Sequence, residues 1–138
     1  MKTRLLLGIL VSAILISCKA KMEETTQNIH RKWMLIQFEN FQKETLIEKQ
    51  CYLDLTDQKN AMANMGCNSL GFVYELKNDN EILFNQGRTT HMYCEDHAIE
   101  SQFLSIVKTI SSYKVKGHKL HLRTNTDKEL IFVAEDWY

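Results

Sequence analysis

Four side chains in the middle of the sequence have the types and spacing of a metal or redox centre. His91-x-x-Cys94-x-x-His97 sets two imidazoles and a thiol at three-residue intervals, and Cys67 can add a second thiol. A Cys2His2 set is the donor chemistry of a tetrahedral zinc site. Met65 and Met92 stand nearby, and thioethers suit copper(I). Such spacing also arises by chance. Residues three apart on a strand point to opposite faces, so His91 and Cys94 converge only through a turn. His97 opens an apolar-striped segment and can simply face water. Each thiol can equally pack as a small hydrophobe.

No other constellation reads as a catalyst. The sequence has no G-x-S-x-G elbow, no Walker loop, no H-E-x-x-H and no dinucleotide fingerprint. Ser69 has no marked base beside it. Asp54, Glu75 and Glu95 read as solvated surface. These observations assign no catalytic residue, no cofactor and no enzyme activity. Lys plus Arg is 17 and Asp plus Glu is 17, so the chain lacks the basic surplus of a nucleic-acid binder. With 138 residues, 44% hydrophobic and 25% charged, it has room for one globular domain.

The first residues read as an export signal. Lys2 and Arg4 precede an apolar run of 12 residues, Leu5 to Ile16. Spanning a bilayer takes about 20, so the run has the length of a signal core instead. It ends in Leu15-Ile16-Ser17-Cys18, which resembles a bacterial lipobox. Ser17 is the small residue that cleavage needs, and the Cys18 thiol is the group that takes lipid. The absence of Asp after Cys18 points to the outer membrane, facing the periplasm. Cleavage leaves residues 18–138 with 15 basic and 17 acidic side chains, a net charge of −2. The expected organisation is a signal over 1–17, a polar tether over 18–28 and a domain over 29–138. More than one acyl chain gives stable anchoring, so the membrane is the first expected partner.

The domain that must position these groups reads as strands around one helix. Trp33 to Phe38 starts it, with Trp33, Leu35 and Gln37 on one face. Cys51, Leu53 and Leu55 alternate with Tyr52 and Asp54, the period of a half-buried strand. Ala61 to Met65 follows across a polar turn and completes a hairpin. Phe72, Tyr74 and Leu76 lead through Lys77-Asn78-Asp79-Asn80 into Ile82 and Phe84. Ile99, Phe103, Ile106, Val107 and Ile110 make one stripe on a helix from about Asp96 to Ile110, with Glu100 on its polar side. Asp96 is the expected N-cap. Tyr113/Val115, Leu120/Leu122 and Leu130 to Ala134 form a meander. The expected fold is α+β, a single domain with a curved antiparallel sheet of about eight short strands packed on one long helix.

An ordered set of residues carries a family resemblance. Trp33-x-Leu35 is followed by Gly66-Cys67-Asn68, Gly71, Thr90-x-Met92-x-Cys94, Glu100-x-x-Phe103 and Gly117-x-x-Leu120-x-Leu122. This order resembles the META domain, or HslJ-like, family of bacterial envelope proteins over roughly residues 29 to 134. The resemblance implies an α+β fold, a secreted or lipid-anchored location and no known catalytic activity. It links the chain to stress response. The segment from Phe41 to Gln50 departs from the pattern, being more polar and lacking the usual Gly or Pro.

The cysteines are read in that light. With Cys18 given to lipid, Cys51, Cys67 and Cys94 remain. Cys67 and Cys94 are the pair that coincides with the family pattern, and an exported chain meets oxidising conditions. Free buried thiols and a Cys51–Cys67 bridge are the competing assignments. The function expected is a noncatalytic, lipid-anchored stress or envelope-integrity factor that binds a protein or small-ligand partner. The competing function is a metal-binding or redox-sensing lipoprotein using Cys67, His91, Cys94 and His97.

Overall fold

Alternating inward and outward side chains make eight strands, and pairing of the last with the first closes them into a barrel. The structure, a computed structural model, describes residues 28–138. The signal, with Cys18 and most of the tether, lies outside the described residues. In chain order the elements are β1 (Lys32–Phe38), α1 (Lys43–Glu48), β2 (Tyr52–Asp54), β3 (Asn60–Asn64), β4 (Ser69–Lys77), β5 (Glu81–Thr89), α2 (Ala98–Ile106), β6 (Ile110–Lys116), β7 (Lys119–Thr124) and β8 (Glu129–Ala134). Single 3-10 turns follow α2 at Val107–Thr109 and β8 at Glu135–Trp137. Every strand pairs antiparallel with its sequence neighbours, and β1 pairs with β8.

This corrects the expected curved sheet on one long helix. The strands fall where their alternation places them, but the sheet has no free first or last edge. The β1–β8 pairing runs from Trp33 opposite Ala134 to Phe38 opposite Leu130. The helix is also shorter than its stripe. The stripe continues past Ile106 because a 3-10 turn and the first residue of β6 happen to bury Val107 and Ile110 as well. Asp96 is not the cap residue. His97 holds that position without a side-chain bond, while Asp96 accepts from the Ala98 N–H at 3.2 Å.

Eight strands enclose a space that side chains alone can fill. Here Trp33, Leu35 and Phe38 of β1, Leu70, Phe72 and Tyr74 of β4, and Leu130 and Phe132 of β8 fill it. A bulge in β1 between Leu35 and Gln37 flips the alternation. That is why Phe38 is buried while Gln37, expected on the inner face, is exposed.

One seam is loose. β5 and β6 share a single pair, Glu81 with Ser112, extended by the Tyr113 N–H donating to the Asn80 carbonyl at 2.8 Å. Beyond it the strands part, and the 3-10 turn after α2 packs against β5. Phe103 enters edge-on against Phe72, ring centroids 6.1 Å apart. Burying such a ring contributes roughly 1.5–3 kcal/mol.

Strand direction sorts the connections into two ends. The hairpin end holds the turns β2–β3, β4–β5 and β6–β7, the start of β1 and the turn after β8. Asn78 (φ 56°) and Gly117 (φ 59°) make two of those turns. The other end, the motif end, holds α1, the β3–β4 turn, the long connection containing α2 and the β7–β8 turn. The helix α1 lies in the polar stretch, Phe41 to Gln50, that departs from the family pattern. It is six residues long with one buried side chain, Leu46, too little for a periodic signal. Gln50, at φ 49°, ends it where a glycine would ordinarily stand.

Candidate functional site

Apart from Gly71, the family-pattern residues between Gly66 and Glu100 meet at the motif end, on the turn entering β4, the segment leading into α2 and the first turn of α2. Cys67 and Cys94 form a disulfide across a sequence separation of 27, Cα atoms 6.0 Å apart. Next to it, Asn68 is the hub of a buried polar network. Its backbone N–H and side-chain Nδ2 donate to the Glu100 carboxylate at 2.5 and 2.9 Å. Its Oδ1 accepts from the Thr90 hydroxyl at 2.9 Å and the Met92 N–H at 2.8 Å. Thr90 Oγ1 in turn accepts from the Ser69 N–H at 3.1 Å.

This arrangement gives each of these residues a physical task. After the Thr90 N–H, which donates to the Ser69 carbonyl of β4 at 3.1 Å, the backbone leaves the ladder and runs irregularly to Cys94. Asn68 supplies what a ladder would have supplied. Asn68 thus satisfies a backbone group far along the chain, the Met92 N–H. Within its own turn that work falls to Asn64, whose Oδ1 accepts from the Gly66 N–H at 2.8 Å. Glu100 is 6% exposed, which corrects its expected place on the polar side of the helix. A buried carboxylate needs donors, and Asn68 provides two.

Gly66 has a positive φ of 95°, and a Cβ there would stand 2.8 Å from Cδ of Lys49. The Lys49 stem crosses Gly66 to reach Asp96, Nζ to Oδ2 at 3.1 Å. The Ala98 N–H and Lys49 hold the Asp96 carboxyl below the ordinary aspartate range. A second rim contact runs from Lys128 through Glu39 to Gln102 of α2, at 2.6 and 3.0 Å. Lys49 and Glu39 carry no motif-like signal in the sequence. Gly71 is ordinary extended backbone facing Met62, with space for a side chain.

The remaining candidates do not assemble. His91 and His97 are exposed, and among the described residues no three His, Cys, Asp or Glu side chains gather as metal ligands. Both sulfurs of the expected Cys2His2 set are spent on each other. Met92 uses its backbone here, and its side chain is exposed beside a 93% exposed Tyr93. Cys51 is a free buried thiol whose pKa burial pushes up to about 11, which keeps it protonated and unreactive. Trp33 lies in the barrel, and its Nε1 donates to the Ile29 carbonyl at 2.8 Å, near the hairpin end. The motif residues therefore make a clasp: a covalent bond and a satisfied polar network that tie a long connection to the barrel.

Known proteins bear on this geometry. A protein from Burkholderia xenovorans, solved by NMR, is similar in fold with a TM-score of 0.60 and 20% identity. That likeness covers 77% of this chain and 82% of the other. The crystal structure of a "duf4847 family protein" from Bacteroides vulgatus is similar with a TM-score of 0.57 and 9% identity, over 76% of this chain and 92% of the other. At such identities the likeness speaks for the fold alone. No curated protein matches the sequence. The family profile described as the META domain matches residues 25–137, nearly the whole described structure, and the chain belongs to the META domain family.

Proposed function

We propose that this META domain protein is a noncatalytic, lipid-anchored factor of the cell envelope. Its role is in stress response or envelope integrity, and it acts by presenting its outer surface to a partner or ligand. The observation that carries the reading is the filled interior. Trp33, Phe38, Tyr74, Phe103 and Phe132 are each under 2% exposed inside the barrel. Recognition then falls to the outside and the loops, as it commonly does on rigid scaffolds. The reactive groups are also committed elsewhere, Cys67 and Cys94 to each other and Glu100 to Asn68.

Anchoring is supported by the apolar run and by Ser17-Cys18 at its end. The disulfide suits the oxidising side of a membrane, and the outer membrane facing the periplasm is the location the tether sequence favours. Intact-mass analysis of the chain expressed in a bacterial host tests this. The expected species begins at Cys18, carries a diacylglycerol and an acyl chain, and lacks two hydrogens at Cys67 and Cys94. An unmodified Cys18 would sink the anchor. Free thiols with a stoichiometric metal would sink the noncatalytic clasp in favour of a metal site.

A further inference from the structure

The β6–β7 hairpin is basic on a chain whose charges balance overall. Residues 114–123 include Lys114, Lys116, Lys119 and Arg123 and no acid. The three lysines are exposed, and Lys116 stands opposite Lys119. Among the described residues none of the three is in an ion pair. Arg123, by contrast, shares Glu129 with His121.

An exposed indole stands beside this patch. Trp137 is 64% exposed and lies flat on His118 of the β6–β7 turn, centroids 4.3 Å apart and planes 7° from parallel. The turn that carries it is fastened to the start of β1 by Arg31 with Asp136 and Lys32 with Glu135. The patch therefore adjoins the point where the chain from Cys18 reaches the barrel. Residues 19–28 separate the two. Ten residues reach at most about 35 Å, so an anchor at Cys18 keeps this end within reach of the bilayer.

We propose that the β6–β7 hairpin and Trp137 form a contact surface for the headgroup region of a bilayer containing anionic phospholipid. The proposal rests on the anchored reading above. Lysines without partners meet lipid phosphates, and an indole edge settles among headgroups, where tryptophan is enriched. The contact fixes the orientation of the anchored domain, with the disulfide-clasped motif end and Tyr93 pointing away from the membrane.

The chain has two tryptophans, and Trp33 is fully buried, which makes the test clean. The exported protein is reconstituted into vesicles of phosphatidylcholine alone or mixed equally with phosphatidylglycerol, each brominated near the headgroup end of the acyl chains. Quenching is expected in the mixed vesicles, lost in Trp137→Phe and reversed by salt. Each Lys→Gln change at 114, 116 or 119 should weaken surface contact about fivefold. Equal quenching in both vesicles, none in either, or quenching that survives the triple lysine variant would overturn the surface. So would an oligonucleotide that abolishes the quenching in the mixed vesicles at matched charge concentration. Intact mass reads the anchor separately. If Cys18 proves unmodified, the same quenching with vesicles added to the exported protein still decides the surface.

Discussion

The two ends of the barrel close by different means. At the hairpin end the strand ladders run up to their turns, so three connections need little beyond turn residues such as Asn78 and Gly117. What remains is light: Tyr74 and His30 meet over the β2–β3 turn, and Trp33 holds the Ile29 carbonyl. At the motif end the chain leaves β5 at Thr89 and returns only at Ile110. The entropy of closing such a connection must be met by contacts distant in sequence. Cys67–Cys94, Asn68–Glu100 and Lys49–Asp96 supply them. The family pattern is thus densest where the ladder is absent.

The contrast breaks most directly at the disulfide. Removing it with Cys67→Ala and Cys94→Ala together should cost roughly 3–4 kcal/mol, from a closed loop of about 28 residues. Denaturant unfolding of both proteins measures it. An unchanged midpoint would mean that the polar network alone holds the connection. The network comes next. Glu100→Ala leaves the Asn68 N–H buried without an acceptor and its Nδ2 with only the Cys67 sulfur at 3.3 Å, and a loss of about 3 kcal/mol is expected in the same assay. A loss under 1 kcal/mol would show that water replaces the carboxylate and that the clasp is covalent alone.

Much of this was legible in the sequence. Most strands announce themselves by alternation, because one face is buried and the other wet, while β1 and β8 read as apolar runs because each buries three residues in succession. The closure of β1 on β8 was not legible, since no local pattern encodes a pairing between Trp33 and Ala134. Gln37 was misplaced because a bulge shifts the period without marking the residues. Glu100 was misplaced because helical periodicity treats a carboxylate as surface and cannot see a distant asparagine. The His91, Cys94 and His97 spacing looked like ligands because sequence does not show that Cys94 faces Cys67 while both imidazoles face water. The helix α1 stayed hidden because Leu46 alone anchors it.

The hairpin end offers the smallest effect and the sharpest control. The Tyr74 hydroxyl donates to the Asp57 carbonyl at 2.8 Å and lies 2.9 Å from Nδ1 of His30. In Tyr74→Phe the ring keeps its stack on Phe84, and His30 keeps the Leu55 carbonyl at 3.2 Å. The neutral hydroxyl's contacts with Asp57, His30 and Leu55 go together, with no charged group left unpaired, so about 1 kcal/mol is expected at neutral pH. The pH dependence identifies the hydroxyl as the cause. Burial, then Asp57, pushes its pKa up to about 12, above the ordinary 10. The unfolded chain therefore ionises first, and the native protein loses stability as pH rises from 10 toward 12. Phenylalanine has no proton to lose, so the gap between the two proteins should narrow over that window. A loss at neutral pH as large as that of Glu100→Ala would erase the distinction between the ends. A gap that stays constant to pH 12 would mean that the hydroxyl is solvated and that the ring alone closes the hairpin end.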